Sequence, residues 1–314
     1  MARQHTGLLF AALAAVAFGV SGPFAKALTE SGWSPEAAVF VRVVGGAVVL
    51  VPFVLIARRH AFSVLKRRVG SVLFYGVAAV AGAQVAFFNA IQHLSVGVAL
   101  LLEYLAPVLV IGWVWITSRR RPTTGTLIGA AIALAGAAIV LDVGNGAEFD
   151  LVGVLWGLLA ALCLTVYFVV SASDGDPVDP FVLTAAGLSI GGITVGGLAA
   201  LGVVSLRFSG DPVEVSGHEM SWLVPAVVLA VVSAALAYIF GIVGSRMLGA
   251  GTASVVALVE VVCAVVAAFL LLGESITMVQ LCGGVAILGG VALVQRSSSA
   301  DAPVPSDVVV ATSH

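Results

Sequence analysis

The chain has 314 residues, of which 61% are hydrophobic and only 10% charged, and its mean hydropathy is +1.16. Soluble domains carry about 25% charged residues, so this composition excludes a single water-soluble core and predicts a polytopic membrane protein. The net charge of −2 points to no partner, because in such a chain the placement of Lys and Arg matters more than their sum.

A helix needs about 20 apolar residues to cross roughly 30 Å of hydrocarbon. Ten segments approach or exceed this length: 7–28, 36–57, 71–92, 95–117, 124–142, 152–172, 181–206, 222–244, 250–272 and 277–295. The first follows MARQHTG. A signal peptide would hand over to a soluble chain, whereas only further apolar runs follow here, so the segment is read as a retained helix. With the N-terminus in the cytoplasm, Arg3, Arg58, Arg59, Lys66, Arg67, Arg68, Arg119, Arg120, Arg121, Arg246 and Arg296 all fall inside, and only Arg207 falls in an outer loop. This bias places both termini in the cytoplasm of a multi-pass protein. A Lys-poor composition rich in Ala, Gly and Arg suggests a GC-rich bacterium, so the membrane expected is the bacterial inner membrane. The acidic loop SDGDPVDP, 173–180, runs against the bias, but acids contribute little to orientation. The basic runs ARRHAFSVLKRR and SRRRP abut apolar segments. They are read as topology determinants touching anionic lipid, and no nucleic-acid partner is expected. The Ser/Ala/Pro-rich tail, 297–314, is expected to be disordered.

Two segments share a layout. Ser95–Ile116, SVGVALLLEYLAPVLVIGWVWI, carries Glu103, Tyr104 and Pro107 near its middle, and Gly249–Leu272, 154 residues later, carries Glu260. A shift of 154 also aligns Gly97 with Gly251, Thr123 with Thr277, Gly129 with Gly283 and Gly136 with Gly290. A shift of 146 aligns Leu9, Leu13, Ala14 and Ala15 with Leu155, Leu159, Ala160 and Ala161. The fold expected is therefore all-α, with ten transmembrane helices in two repeats, 1–145 and 146–296. Five helices per repeat is an odd number, so the second repeat enters the membrane inverted. Inverted repeats are typical of secondary transporters, whose substrate site lies between the halves near the midplane.

In GLLFAALAAVAFGVSGPFAKAL, in VFVRVVGGAVVLVPFVLIARR with its Arg42, in LAPV at 105–108 and in GAGTASVVALVEVV…FLLLGE at 249–274, the chain resembles the EamA type of the drug/metabolite transporter superfamily. The likeness covers residues 7–295. It implies an exporter or importer of small metabolites, often driven by an ion gradient, with a cavity lined by helices one, three, four, six, eight and nine. One motif departs: the family's Glu-Pro-Val appears as Glu260-Val261-Val262, so a helix break there has lost its proline.

Glu103 and Glu260 are the deepest carboxylates, and an acid at a helix centre costs on the order of 2.5–3.5 kcal/mol. Such acids mark pathways by default. Either could carry a proton or face a cationic substrate group, and the plainer alternative is a structural hydrogen bond. Tyr104 adjoins Glu103. Gln84 aligns with Tyr238, and both could donate into a cavity, with Asn89 a further candidate beside Phe88. The alternative for these is interhelical hydrogen bonding, worth about 0.6 kcal/mol. Ser21 lies in FGVSGPFAK, a Gly/Pro-interrupted stretch of the kind found at transport sites, and aligns with Tyr167. Lys26 and Arg42 are expected to snorkel near the outer surface, Arg42 pairing with Glu36 or an outer-loop acid. Few aromatics are expected in the cavity, which favours a small metabolite. Gly125-x-x-x-Gly129 and Gly283, Gly284, Gly289 and Gly290 mark the fifth and tenth helices as packing elements or as a homodimer surface.

Enzyme motifs are missing. No P-loop, H-E-x-x-H or calcium loop is present, and Gly249-Ala250-Gly251 has no strand before it, as a dinucleotide site requires. Cys163, Cys263 and Cys282 show no C-x-x-C spacing and the histidines are scattered, so neither a metal nor a cofactor is expected.

Overall fold

The structure, a computed structural model, describes residues 2–58, 67–94, 96–119, 121–141, 150–173, 178–273 and 275–300. The apolar segments form helices, and the polar residues between them supply caps. Ser34, Thr123, Asp150 and Asp179 each accept a backbone N–H of the following first turn, with Pro35 and Pro180 opening two of the four helices. The helices are α1 (Gln4–Glu30), α2 (Pro35–Ala57), α3 (Val69–Ala90), α4 (Val98–Ser118), α5 (Thr124–Val140), α6 (Leu151–Ser171), α7 (Pro180–Ala200), α8 (Leu223–Leu248), α9 (Ala250–Leu272) and α10 (Met278–Ala300). Among the described residues, nine helices are long and apolar enough to cross a membrane, and α5 is a shorter apolar helix of 17 residues. Their outward faces agree with a lipid surround: Ile56, Ile116, Ile193 and Leu270 are strongly exposed.

Three boundaries differ from expectation. Helix α7 stops at Ala200 rather than 206, because Gly202 turns the chain with a φ of 74°. Helix α8 continues to Leu248. Helix α10 runs on to Ala300, so residues 297–300 of the expected tail are helical, and the rest of that tail lies outside the described residues. The hairpin β1 (Val213–Val215) and β2 (His218–Met220) was not anticipated; Ser216 and Gly217 both take positive φ, as a two-residue hairpin turn requires. It is fastened to the end of α9, where the Ser216 N–H donates to the Leu271 carbonyl at 2.8 Å. The preceding loop is tied to the α1–α2 turn, with the Ser34 hydroxyl donating to Ser205 and the Trp33 indole to Ser209.

The Asp150 cap makes a testable pH prediction. The Val152 amide, assisted by His93 at 3.0 Å, holds this exposed carboxyl below the usual carboxylate range. A lowered value in the folded state means that the cap stabilises above the ordinary carboxylate range and loses that effect as pH falls through it. Asp150→Ala is expected to lower the melting temperature at pH 7, with the gap to the parent closing on acidification below about pH 4. A gap that ignores pH would contradict this.

Irregularities recur at the 154-residue spacing. Helix α3 contains a π-helical stretch, Tyr75–Gly82, and α8 contains one at Val231–Leu236. Helix α4 is interrupted at Tyr104–Leu105, and α9 at Leu258, the position matching Tyr104. The break in α9 therefore persists without the family's proline. It is made by tightened i to i−3 bonds, Leu258 N–H to Val255 and Val261 N–H to Leu258, both 3.1 Å. Thr123 and Thr277 match as well, each accepting the N–H of the residue three positions on.

Packing follows the same pattern. Helix α1 packs on α8 and α9, while α6 packs on α3 and α4. Helix α5 lies against α10 through four glycines. A Cβ at Gly129 would sit 2.7 Å from the Gly290 carbonyl oxygen, and one at Gly136 would sit 2.6 Å from that of Gly283. The two helices are thus antiparallel, and these glycines are used within the chain. Gly289, by contrast, has nothing within 4 Å.

Candidate functional site

Helix α1 is interrupted at Val20, where the Ser21 hydroxyl donates back to the Phe18 carbonyl. Just before the break, Gly19 lets α1 approach α9 closely: a Cβ there would lie 2.9 Å from the Glu260 carbonyl oxygen. Just after it, Gly22 faces open space. The irregular parts of α1, α4 and α9 meet at this level and leave a cavity of about 470 Å³. It runs from Thr29 and Pro35, toward the face opposite the N-terminus, down to Ala11, Ser245 and Ser254.

Seven of the sequence candidates line this cavity: Glu260, Glu103, Tyr104, Gln84, Tyr238, Tyr167 and Ser21. Asn89 does not. Its amide donates to the Val85 carbonyl at 2.8 Å, and the residue lines a smaller pocket of about 250 Å³ with Glu36 and Gln92. Gln84 and Phe88 border both spaces. Arg42 corrects the expectation of a surface ion pair. It lines the central cavity, brings α2 into the wall, and among the described residues makes no ion pair with Glu36. Its guanidinium carbon lies 5.4 Å from the centre of the Phe18 ring, a cation–π contact. Lys26 behaves as a rim residue, half exposed and 3.9 Å from Glu30.

The two carboxylates occupy unlike helix ends. Glu103 closes the first half of α4, and Glu260 lies in the first turn of the second half of α9. Both are half-buried at the cavity and, like Arg42, make no hydrogen bond or ion pair among the described residues. The three charges nevertheless lie close enough to influence one another. Unpaired charges at a buried wall are costly. Here they are held apart by separate helices and aimed into one space.

The expectation of few aromatics fails. Phe18, Phe87, Phe88, Tyr104, Tyr167, Phe168 and Tyr238 all line the cavity. Several form a chain of ring contacts: Phe18 edge-on to Tyr238 with ring centres 5.4 Å apart, Tyr238 edge-on to Tyr167 at 5.6 Å, and Tyr167 tilted against Tyr75 at 6.1 Å. No group of three or more His, Cys, Asp or Glu suited to a metal occurs among the described residues.

Comparison with known proteins agrees with this architecture. The uncharacterized inner membrane transporter YicL of Salmonella typhimurium is 24% identical over 95% of this chain and 98% of its own. An uncharacterized transporter of Archaeoglobus fulgidus is 30% identical over 67% of this chain and 71% of its own. A solved crystal structure shares the fold, with a TM-score of 0.72 at 19% identity over 95% of this chain and 97% of that one. The model of the EamA-like transporter family matches residues 5–142 and again 151–296. This multi-pass membrane protein therefore belongs to the EamA-like transporter family, with two copies of its characteristic unit.

Proposed function

We propose that this protein is a secondary transporter, and not an enzyme, that exports a small amphipathic metabolite across the bacterial inner membrane through the central cavity. The observation that carries the reading is the set of unpaired charges, Arg42, Glu103 and Glu260, on one cavity wall that is otherwise mostly small and aromatic residues. A solute with an ammonium group, a carboxylate and an apolar body, such as an amino-acid-like zwitterion, would satisfy both signs at once and stack on the rings. Its partners are this solute and the lipid bilayer.

The architecture we assign is ten membrane-spanning helices in two inverted five-helix repeats, with both termini cytoplasmic. Two features support the inversion. The helix breaks and π-helical stretches recur 154 residues apart. The packing is also reciprocal: Gly129 meets Gly290 and Gly136 meets Gly283, so matching residues exchange partners as a two-fold relation demands. The basic residues support the orientation. Proton coupling through Glu103 or Glu260 is part of the proposal, because both carboxyls face the cavity without a partner.

The test is a thermal-stability screen of the purified protein, in which a ligand at ten times its dissociation constant adds about 1.4 kcal/mol. Solutes that shift the melting temperature then enter flux assays in vesicles of both orientations, which decide the direction. Arg42→Ala and Glu260→Gln are each expected to weaken binding about ten- to hundredfold, the loss of one charge-assisted hydrogen bond. Zwitterion binding unchanged in both would overturn the site. Transport that still follows ΔpH in the Glu103→Gln, Glu260→Gln double variant would overturn coupling through these carboxyls, whereas counterflow in the parent protein that ignores ΔpH would leave an uncoupled facilitator or antiporter.

A further inference from the structure

The cavity ends on a floor of Tyr167, Tyr238 and Ser245, all buried. The layer beneath it, toward the N-terminal face, is not an apolar plug. Tyr75 packs against Tyr167 and is fully buried, and Ser171 lies one helical turn beyond Tyr167 on α6. The side-chain oxygens of Tyr167 and Ser245 are buried without a hydrogen-bond partner, and those of Tyr75 and Ser171 meet only each other. Buried hydroxyls are ordinarily paired, and leaving them unpaired is costly. A layer that stayed dry throughout would be served better by Phe and Ala. Four buried hydroxyls continuing the line of the cavity, two of them without a partner, instead mark a surface that meets water or solute in another state.

One residue closes this layer. Arg246 follows Ser245 at the end of α8. Its Nε donates to the Ser171 carbonyl at 3.3 Å, and its Nη2 donates to the Val178 carbonyl. The side chain thereby joins the N-terminal-face ends of α8 and α6 and the start of α7. Both acceptors are neutral carbonyls, and the Asp179 carboxylate at the start of α7 adds a charge attraction that holds the same ends together.

We propose that Arg246 is the latch of a gate at the N-terminal face, and that Tyr75, Tyr167, Ser171 and Ser245 line the second half of the solute path, wetted when the latch releases. The inference rests on the transport reading above and extends it to the route by which the cavity communicates with the other side.

The test uses the full chain with Cys163, Cys263 and Cys282 replaced by Ala, and a single cysteine at Ser171→Cys or Ser245→Cys. A membrane-impermeant maleimide is applied to the N-terminal face of sealed vesicles. Ala133→Cys, in the buried contact between α5 and α10, is the control. Labelling at the two seam positions is expected to be slow with Arg246 present and at least about tenfold faster in Arg246→Ala, the change that losing even one of its two charge-assisted hydrogen bonds brings to a two-state balance. Arg246→Lys, which keeps a donor, should label slowly. The gate is overturned if the seam cysteines stay unreactive in Arg246→Ala while the vesicles transport solute. It is also overturned if Ala133→Cys labels as fast as they do, since that is general loosening. Seam labelling released by Arg246→Ala in a protein that moves no solute would support the gate and overturn the transport reading instead.

Discussion

Gly22→Leu is expected to reduce transport at least about tenfold, the effect of displacing one well-made ligand contact, while leaving the folded protein intact. Gly22 lines the central cavity, and a Cβ placed there meets nothing within 4 Å. Its backbone is helical, so leucine adopts it without strain and gains up to about 1 kcal/mol of helix propensity over glycine. The added side chain extends into the open space that Gly22 leaves at the wall of this cavity. Solute counterflow and the melting temperature of the same preparation check the prediction together. Undiminished counterflow at an unchanged melting temperature would show that solute does not pass through this cavity.

Gly136→Val has the opposite signature, a loss of the fold rather than of flux. A Cβ at Gly136 would stand 2.6 Å from the Gly283 carbonyl oxygen and 2.8 Å from the Ile287 nitrogen. Both are backbone atoms, so no rotamer change makes room. Overpacking typically costs 1–3 kcal/mol, and a clash against backbone belongs at the upper end, about 3 kcal/mol. The matched control is Gly289→Val on the same helix pair, where nothing lies within 4 Å. Size-exclusion profiles and melting curves of the two variants should separate clearly. Similar curves would mean that α5 and α10 do not pack as described.

The sequence carried much of this structure because long apolar runs leave a chain few choices in lipid. The helices were legible from segment length, and the cavity acids from the rarity of charge in such runs. Gln84 and Tyr238 were legible as a pair through the repeat. The aromatic wall was not. In helices that are apolar all round, Phe18 or Phe168 facing a cavity has the same sequence context as Phe53 or Phe269 facing outward. Arg42 was misplaced for a different reason. It lies seven residues into α2, about 10 Å along the helix axis, which takes it from the rim into the cavity. The missing proline left the break at Leu258 undecided in the sequence, because proline is only one of several ways to interrupt a helix. Here Gly19 packs tightly against the following turn of α9, and that turn is tightened without any breaker residue.

The glycine contact between α5 and α10 also decides which lesions a second change can repair. Gly45 meets the Ala230 side chain, so a larger residue at 45 could be accommodated by shrinking its neighbour. Gly129, Gly136, Gly283 and Gly290 meet carbonyl oxygens and amide nitrogens, which every amino acid possesses. No substitution in the facing helix removes them. In a search for suppressors, variants at these four positions should therefore stay unrescued, while Gly45 variants recover.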